Sequence, residues 1–218
     1  ECLIPDPEKP GEKMNVSLML PKSKEDLAIR HRGLERLARY SYGMLGRTPD
    51  YVNVVLSGHT ARKDIWDQGD DKDAHRRLAA FHREVIDGDL SMTHTIIHAN
   101  IDKSAPPLGG INTDLTLRVG GRTENGVIVR GGKVLATLGP IADELYVYCS
   151  APVPSGAEEY ALIFSIPTNT KGVIQICRDH YGRDMSVEDA PFSSRFDEQD
   201  AFVIFDDVEV PYERLFCN

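Results

Sequence analysis

A chain of 218 residues with 41% hydrophobic and 27% charged side chains has a globular composition, with apolar material for one sizeable core or two modest ones. A formal charge of -9 and a pI near 5.3 argue against a nucleic-acid backbone as the main partner, because such binding draws on clustered cations. No apolar run is long enough to cross a bilayer and the first residues are polar and acidic, so a cytoplasmic location is expected.

Ser23, with Asp26 three residues on, reads as a helix N-cap with an acidic partner. Leu27, Leu34, Leu37 and Ala38 then recur on one face, predicting an amphipathic helix that ends near Gly43. Thr48-Pro49 marks a second start, since threonine caps and proline suits the first helical position; Tyr51, Val52, Val55 and Leu56 follow before Gly58. A third helix is predicted over 73–86, with Leu78, Phe81 and Val85 on one face, Gly88 as its stop, and His75 and His82 on a solvated face.

After Pro106-Pro107 and Gly109-Gly110 the pattern changes to short β-rich runs at 115–119, 127–135, 145–148, 160–166, 173–177 and 201–210. Asn125-Gly126, between two of these runs, is a hairpin signal because both residues tolerate positive φ. The expected class is therefore α+β: an N-terminal helical domain over 1–107 followed by an antiparallel β-barrel domain over 108–218. A doubly wound sheet is disfavoured, because it needs strands and helices to alternate. Gly131-Gly132-Lys133 lacks the spacing of a phosphate-binding loop and reads as a turn in a strand.

Cys2, Cys149, Cys177 and Cys217 are scattered without a close pair, which predicts buried reduced thiols and neither a disulfide framework nor a zinc site. Arg47 precedes the second helix and Tyr51 lies in its first turn, so a guanidinium and a phenol flank a helix end that favours anions. The same two residues are also ordinary structural choices, and spacing alone leaves both readings open. His94 and His98 are four apart and on a helix would share a face, yet no HExxH pattern or third ligand accompanies them. A hydrogen-bonded or substrate-facing histidine is expected there instead of a metal ligand.

The run from Gly43 to Asn53, GMLGRTPDYVN, resembles the GMxGRxPDYxN signature of the 4-hydroxyphenylacetate 3-hydroxylase family. Further matching segments follow in order: Thr93-His94-Thr95 with Asp102-Lys103, Lys133-Val134-Leu135-Ala136-Thr137, and Phe205-Asp206-Asp207-Val208-Glu209-Val210-Pro211 with Glu213-Arg214. With Pro21-Lys22-Ser23-Lys24-Glu25-Asp26-Leu27 the resemblance spans nearly the whole chain.

The resemblance implies an acyl-CoA-dehydrogenase-like fold whose helical and middle β-barrel domains correspond to the two halves above. It implies a two-component monooxygenase that receives reduced FAD from a separate NAD(P)H-dependent flavin reductase. Through a flavin hydroperoxide, such an enzyme inserts one oxygen of O2 ortho to a phenol hydroxyl. Carried over by matching position, Arg47, Tyr51 and His94 hold the phenolic oxygen as catalytic residues, with Cys149 and Ser150 beside them at the substrate. Asn100, Ile101, Asp102, Lys103 and Thr137 are the expected flavin contacts.

Family members continue into a C-terminal four-helix bundle that completes the flavin site and a tetramer, and the matching segments here stop short of it. The expectation is thus a fragment, a chain whose bundle comes from a second chain, or a remnant that binds a ligand or partner without catalysis. His98-Ala99 stands where the family often has Asn-Pro, and Lys103 where arginine is common. A 4-hydroxybutyryl-CoA dehydratase-like enzyme, using FAD with an iron-sulfur cluster, is the other enzymatic alternative; the cysteine spacing does not suit that cluster.

Overall fold

The computed structural model describes residues 2–44, 50–98, 115–150 and 152–218. The chain divides into two compact units, Glu1–Met92 with Asp179–Glu198, and Thr93–Arg178 with Gln199–Asn218. The boundary expected near Pro107 lies outside the described residues.

The first unit opens with a hairpin of β1 (Leu3–Pro5) and β2 (Lys13–Asn15), in the register Leu3↔Asn15 and Ile4↔Met14. Helix α1 (Lys24–Tyr40) starts at the expected capping box: the Ser23 hydroxyl accepts from the Asp26 amide at 3.1 Å, and Asp26 accepts from the Ser23 amide at 3.0 Å. Its apolar stripe is less buried than its periodicity suggested, with Leu27 exposed and only Gly33 of the helix fully covered.

Helix α2 (Asp50–Ala61) runs through Gly58 instead of stopping there, and its Thr48-Pro49 start lies outside the described residues. Asp50 heads it as a buried carboxylate that accepts from Asn15 Nδ2 at 3.0 Å and from the Ser17 hydroxyl at 3.1 Å. Asn53 Nδ2 donates to the same Ser17 hydroxyl at 2.9 Å, so the turn Val16–Leu18 is riveted to α2 by polar side chains.

After a single turn, α3 (Lys63–Trp66), helix α4 (Ala74–Gly88) buries Leu78, Phe81 and Val85 as predicted. It passes Gly88 and ends on Asp89, which takes the left-handed conformation at φ 45°. His82 corrects the solvated-face reading. It is buried, its Nε2 lies 2.9 Å from the Leu18 carbonyl, and burial holds its pKa below the ordinary imidazole value. His75 is half-buried and bonds the Thr60 carbonyl. Arg83, on the same helix, forks onto the buried Asp6 at 2.6 and 3.1 Å and holds that carboxyl below its usual pKa. The unit also receives α5 (Ser193–Phe196) from the later segment Asp179–Glu198.

The second unit holds β3 (Met92–Thr95, beginning on the last residue of the first unit), β4 (Arg118–Arg122), β5 (Gly126–Thr137), β6 (Glu144–Val147), β7 (Ile163–Pro167), β8 (Val173–Cys177), β9 (Asp200–Pro211) and β10 (Leu215–Cys217). Four of the six predicted runs become strands within two residues of their expected limits. The runs at 115–119 and 160–166 begin three residues late, at Arg118 and Ile163.

Among the described residues they form two open four-stranded sheets, ordered β10-β7-β6-β3 and β4-β5-β9-β8. Leu145, Val147, Phe164 and Ile166 of one sheet share a core with Val127, Val129, Val203, Phe205, Val208 and Val210 of the other. Phe164 and Phe205 meet edge to face at 5.9 Å inside it. Among the described residues no helix is long and apolar enough to cross a membrane.

The hairpin at Asn125-Gly126 forms, for a different reason than expected. Neither residue has positive φ; the Thr123 hydroxyl accepts from the Asn125 and Gly126 amides at 3.2 and 2.9 Å. A Cβ on Gly126 would sit 2.1 Å from the Val210 carbonyl oxygen, so glycine is required by the close approach of β9. Gly126→Ala should therefore destabilise the chain by about 2 kcal/mol, read as a fall in the urea midpoint at unchanged slope.

Candidate functional site

Strand β3 is buried at every residue but one, His94. Thr93 and Thr95 are buried, and His94 between them is half-exposed. The Thr93 hydroxyl donates to the carbonyl of Thr137, at the end of β5, over 2.5 Å, and so joins the two expected site positions Thr137 and His94 through neighbouring residues. The backbone around Thr137 is contorted: Leu135 and Leu138 have φ of 72° and 63°, in the left-handed region that branched side chains avoid. A register shift between Lys133 and Ala136 accompanies that distortion.

His94 is oriented by Tyr148, which follows β6. The two rings meet edge to face at 5.5 Å, and the Tyr148 hydroxyl lies 3.2 Å from His94 Nδ1. Tyr148 rests against Tyr146 at 5.4 Å, and Tyr146 against Phe216 at 6.3 Å. Tyr146 is fully buried, and desolvation raises its hydroxyl pKa far above the ordinary phenol value. The half-buried Tyr148 is thus backed by two fully buried rings, which stiffen the support behind His94.

Beneath it lies Lys133, only 1% exposed. Its Nζ donates to the Ile96 carbonyl at 3.0 Å and the Tyr148 carbonyl at 3.4 Å, and lies 3.3 Å from His98 Nε2. One side chain thus ties the segment after His94 to the segment that carries Tyr148, Cys149 and Ser150. Burial pushes Lys133 down to about 8, offset in part by Cys149. Burial, together with the Lys133 cation, pushes His98 down to about 4. The Nδ1 of His98 and the hydroxyl of Thr95 are buried without a hydrogen-bond partner among the described residues.

Of the other expected residues, Cys149 is half-buried with its thiol 3.4 Å from the Tyr160 carbonyl, and Ser150 is exposed. Tyr51 is half-buried in the first turn of α2 in the first unit. Arg47, Asn100, Ile101, Asp102 and Lys103 lie outside the described residues. His94 and His98 are not on a helix, and His98 pairs with Lys133. All four cysteines are free; the expectation that they are buried fails at Cys177, which is exposed, while Cys2, Cys149 and Cys217 are half-buried.

Sequence reasoning missed Lys133 and Tyr148. The signal for Lys133 was parity: counted in twos from Val127 and Val129, it falls on the core face of β5, inside the strand and not at a turn. A cavity of about 530 Å³ in the first unit, lined among others by Met14, Leu18, His82 and Ile86, contains none of the expected site residues.

Residues 1–217 match the family described as the 4-hydroxyphenylacetate 3-hydroxylase N terminal. The oxygenase component of 4-hydroxyphenylacetate 3-monooxygenase from Thermus thermophilus is 36% identical over 209 residues, which cover 96% of this chain and 42% of that protein. A crystal structure of the oxygenase component of 4-hydroxyphenylacetate 3-monooxygenase complexed with FAD and 4-hydroxyphenylacetate superposes with a TM-score of 0.87 at 35% identity, over 99% of this chain and 43% of that one. A 4-hydroxybutyryl-CoA dehydratase from N. maritimus superposes with a TM-score of 0.82 at 21% identity, over 95% of this chain and 42% of that one, which establishes a shared fold alone. The chain spans about two fifths of the length of the relatives it matches.

Lys133 gives the site a pH signature. It titrates near 8 when folded and near 10.5 when unfolded, so between those values the unfolded chain holds more protons and stability rises with pH. Urea unfolding of wild type and Lys133→Met should show their difference moving in favour of wild type across that window; a flat difference would mean the amine is well hydrated.

Proposed function

The chain belongs to the 4-hydroxyphenylacetate 3-hydroxylase N-terminal family, and we propose that it is the phenol-binding part of a two-component, flavin-dependent monooxygenase. The reaction is insertion of one oxygen of O2 ortho to a phenol hydroxyl, with reduced FAD delivered by a separate NAD(P)H flavin reductase. One observation carries the reading: the likeness to a structure holding FAD and 4-hydroxyphenylacetate covers 99% of this chain.

The residues present fit such ligands. His98 Nδ1 and the Thr95 hydroxyl are buried polar atoms whose partners the described protein does not supply. Reduced flavin, when bound, supplies the electrons that activate O2. Thr137 and residues 100–103 are its proposed contacts; His94, Cys149 and Ser150 are proposed at the substrate, and Arg47 and Tyr51 keep the role given by the resemblance.

The protein's task is to make the phenol nucleophilic. A free phenol ionises near ~10, so a nearby cation and an imidazole that takes or shares its proton favour the phenolate, whose ring is richer in electrons. Tyr148, on Nδ1 of His94, fixes the ring, and Nε2 is the proposed site of that proton exchange. Keeping water away is the second task, since electrons leaking to O2 without hydroxylation yield hydrogen peroxide. The sheets of the second unit are proposed as the middle barrel of an acyl-CoA-dehydrogenase-like architecture, with domains at 1–107 and 108–218. The helical bundle of a tetramer is supplied by sequence outside these residues or by a second chain, and the location is cytoplasmic.

The test is turnover with 4-hydroxyphenylacetate and anaerobically reduced FAD, followed by admission of O2 and assay of ortho-dihydroxylated product and hydrogen peroxide. His94→Ala should lower product yield by about a hundredfold while flavin oxidation continues as peroxide formation. Arg47→Ala should weaken phenol binding. An undiminished yield in His94→Ala removes that residue from the reaction. Tight binding of both ligands with no product would mean that this chain alone is a binding part, in keeping with its share of the relatives' length.

A further inference from the structure

An ammonium has protons only to donate, so the contact between Lys133 and His98 defines the imidazole. Lys133 donates to Nε2, and a neutral imidazole whose Nε2 accepts carries its proton on Nδ1. That Nδ1 is buried, and no acceptor faces it among the described residues. The three protons of Lys133 go to the Ile96 carbonyl, the Tyr148 carbonyl and His98, none of them an anion. Apart from the nearby Cys149 thiol, the positive charge is passed on through the ring of His98, whose Nδ1–H is made a stronger donor by the cation on its far side. The buried Thr95 hydroxyl, three residues earlier, likewise has no partner among the described residues, so the same stretch offers two polar groups to a ligand.

We propose that His98 is a further ligand-binding residue of this site, its Nδ1–H donating to a delocalised anion, phenolate or reduced flavin, with Lys133 as the positioning residue that sets its tautomer. The assignment rests on the reading of the chain as a flavin- and phenol-binding protein. An anion is favoured over a neutral acceptor because Lys133 has no carboxylate partner among the described residues, and a negative ligand completes the charge balance.

Two measurements on the 218-residue chain test it. In ligand-free protein, nitrogen-15 NMR of the imidazoles should find His98 protonated on Nδ1, and Lys133→Met should convert it to a mixture with the Nε2–H form. An Nε2–H tautomer in wild type overturns the proposal.

The second is binding of 4-nitrophenolate, followed by its visible band, and separately of anaerobically reduced FAD, to wild type, His98→Phe and His98→Asn. The asparagine amide nitrogen sits where Nδ1 does and keeps a donor there. His98→Phe should weaken one ligand by about tenfold or more, and His98→Asn should restore it to within about threefold of wild type. The ligand that loses affinity identifies the anion. If wild type binds both and His98→Phe binds both equally well, this assignment falls while the proposed function stands. If wild type binds neither, both fall together.

Discussion

An ammonium taken out of water must recover its hydration from the protein, and Lys133 does so from two backbone carbonyls and one imidazole in the sheet core. Those acceptors come from two separate stretches of chain, so satisfying one buried charge fixes how the segments of His94 and Tyr148 lie together. The arrangement of the candidate site follows from it. His94 takes its orientation from Tyr148, Tyr148 from the column of Tyr146 and Phe216, and the whole from a β5 that is distorted at Leu135 and Leu138. Left-handed backbone at two leucines costs on the order of 1–3 kcal/mol each, and such strain gathers where a side chain must be aimed.

The elements that sequence made legible are those with local causes. Ser23 and Asp26 cap α1 from three residues apart, and the periodicity of Leu78, Phe81 and Val85 sufficed for α4. Asn125-Gly126 marked its hairpin correctly, although what demands glycine there is the Val210 carbonyl, distant in sequence. His82 shows the limit: its neighbours on α4 are charged, which suggests solvent, while the carbonyl that buries it belongs to Leu18, 64 residues upstream.

The site divides the same way. His94 and Thr137 were reached through motif resemblance, and β3 and β5 place them one residue's hydrogen bond apart. Lys133 escaped notice because a glycine pair before a lysine reads as a turn within its strand, and Tyr148 because it stands at the end of its predicted run with no motif around it. The pairing of Lys133 with Val203 shows that β5 continues through it without a turn. A lysine on the core face of a strand is rare enough that its parity alone merits a search for the acceptors around it.

The excursion of residues 179–198 into the first unit bears on how the molecule is made. The first unit lacks α5 until that stretch has been synthesised, and β9, which lies between β5 and β8, comes later still. A chain emerging from the ribosome therefore cannot finish one unit and then begin the other. Both reach completion only when residues 179–218 have appeared, which leaves apolar strands waiting without their central neighbour and makes early release a route to aggregation.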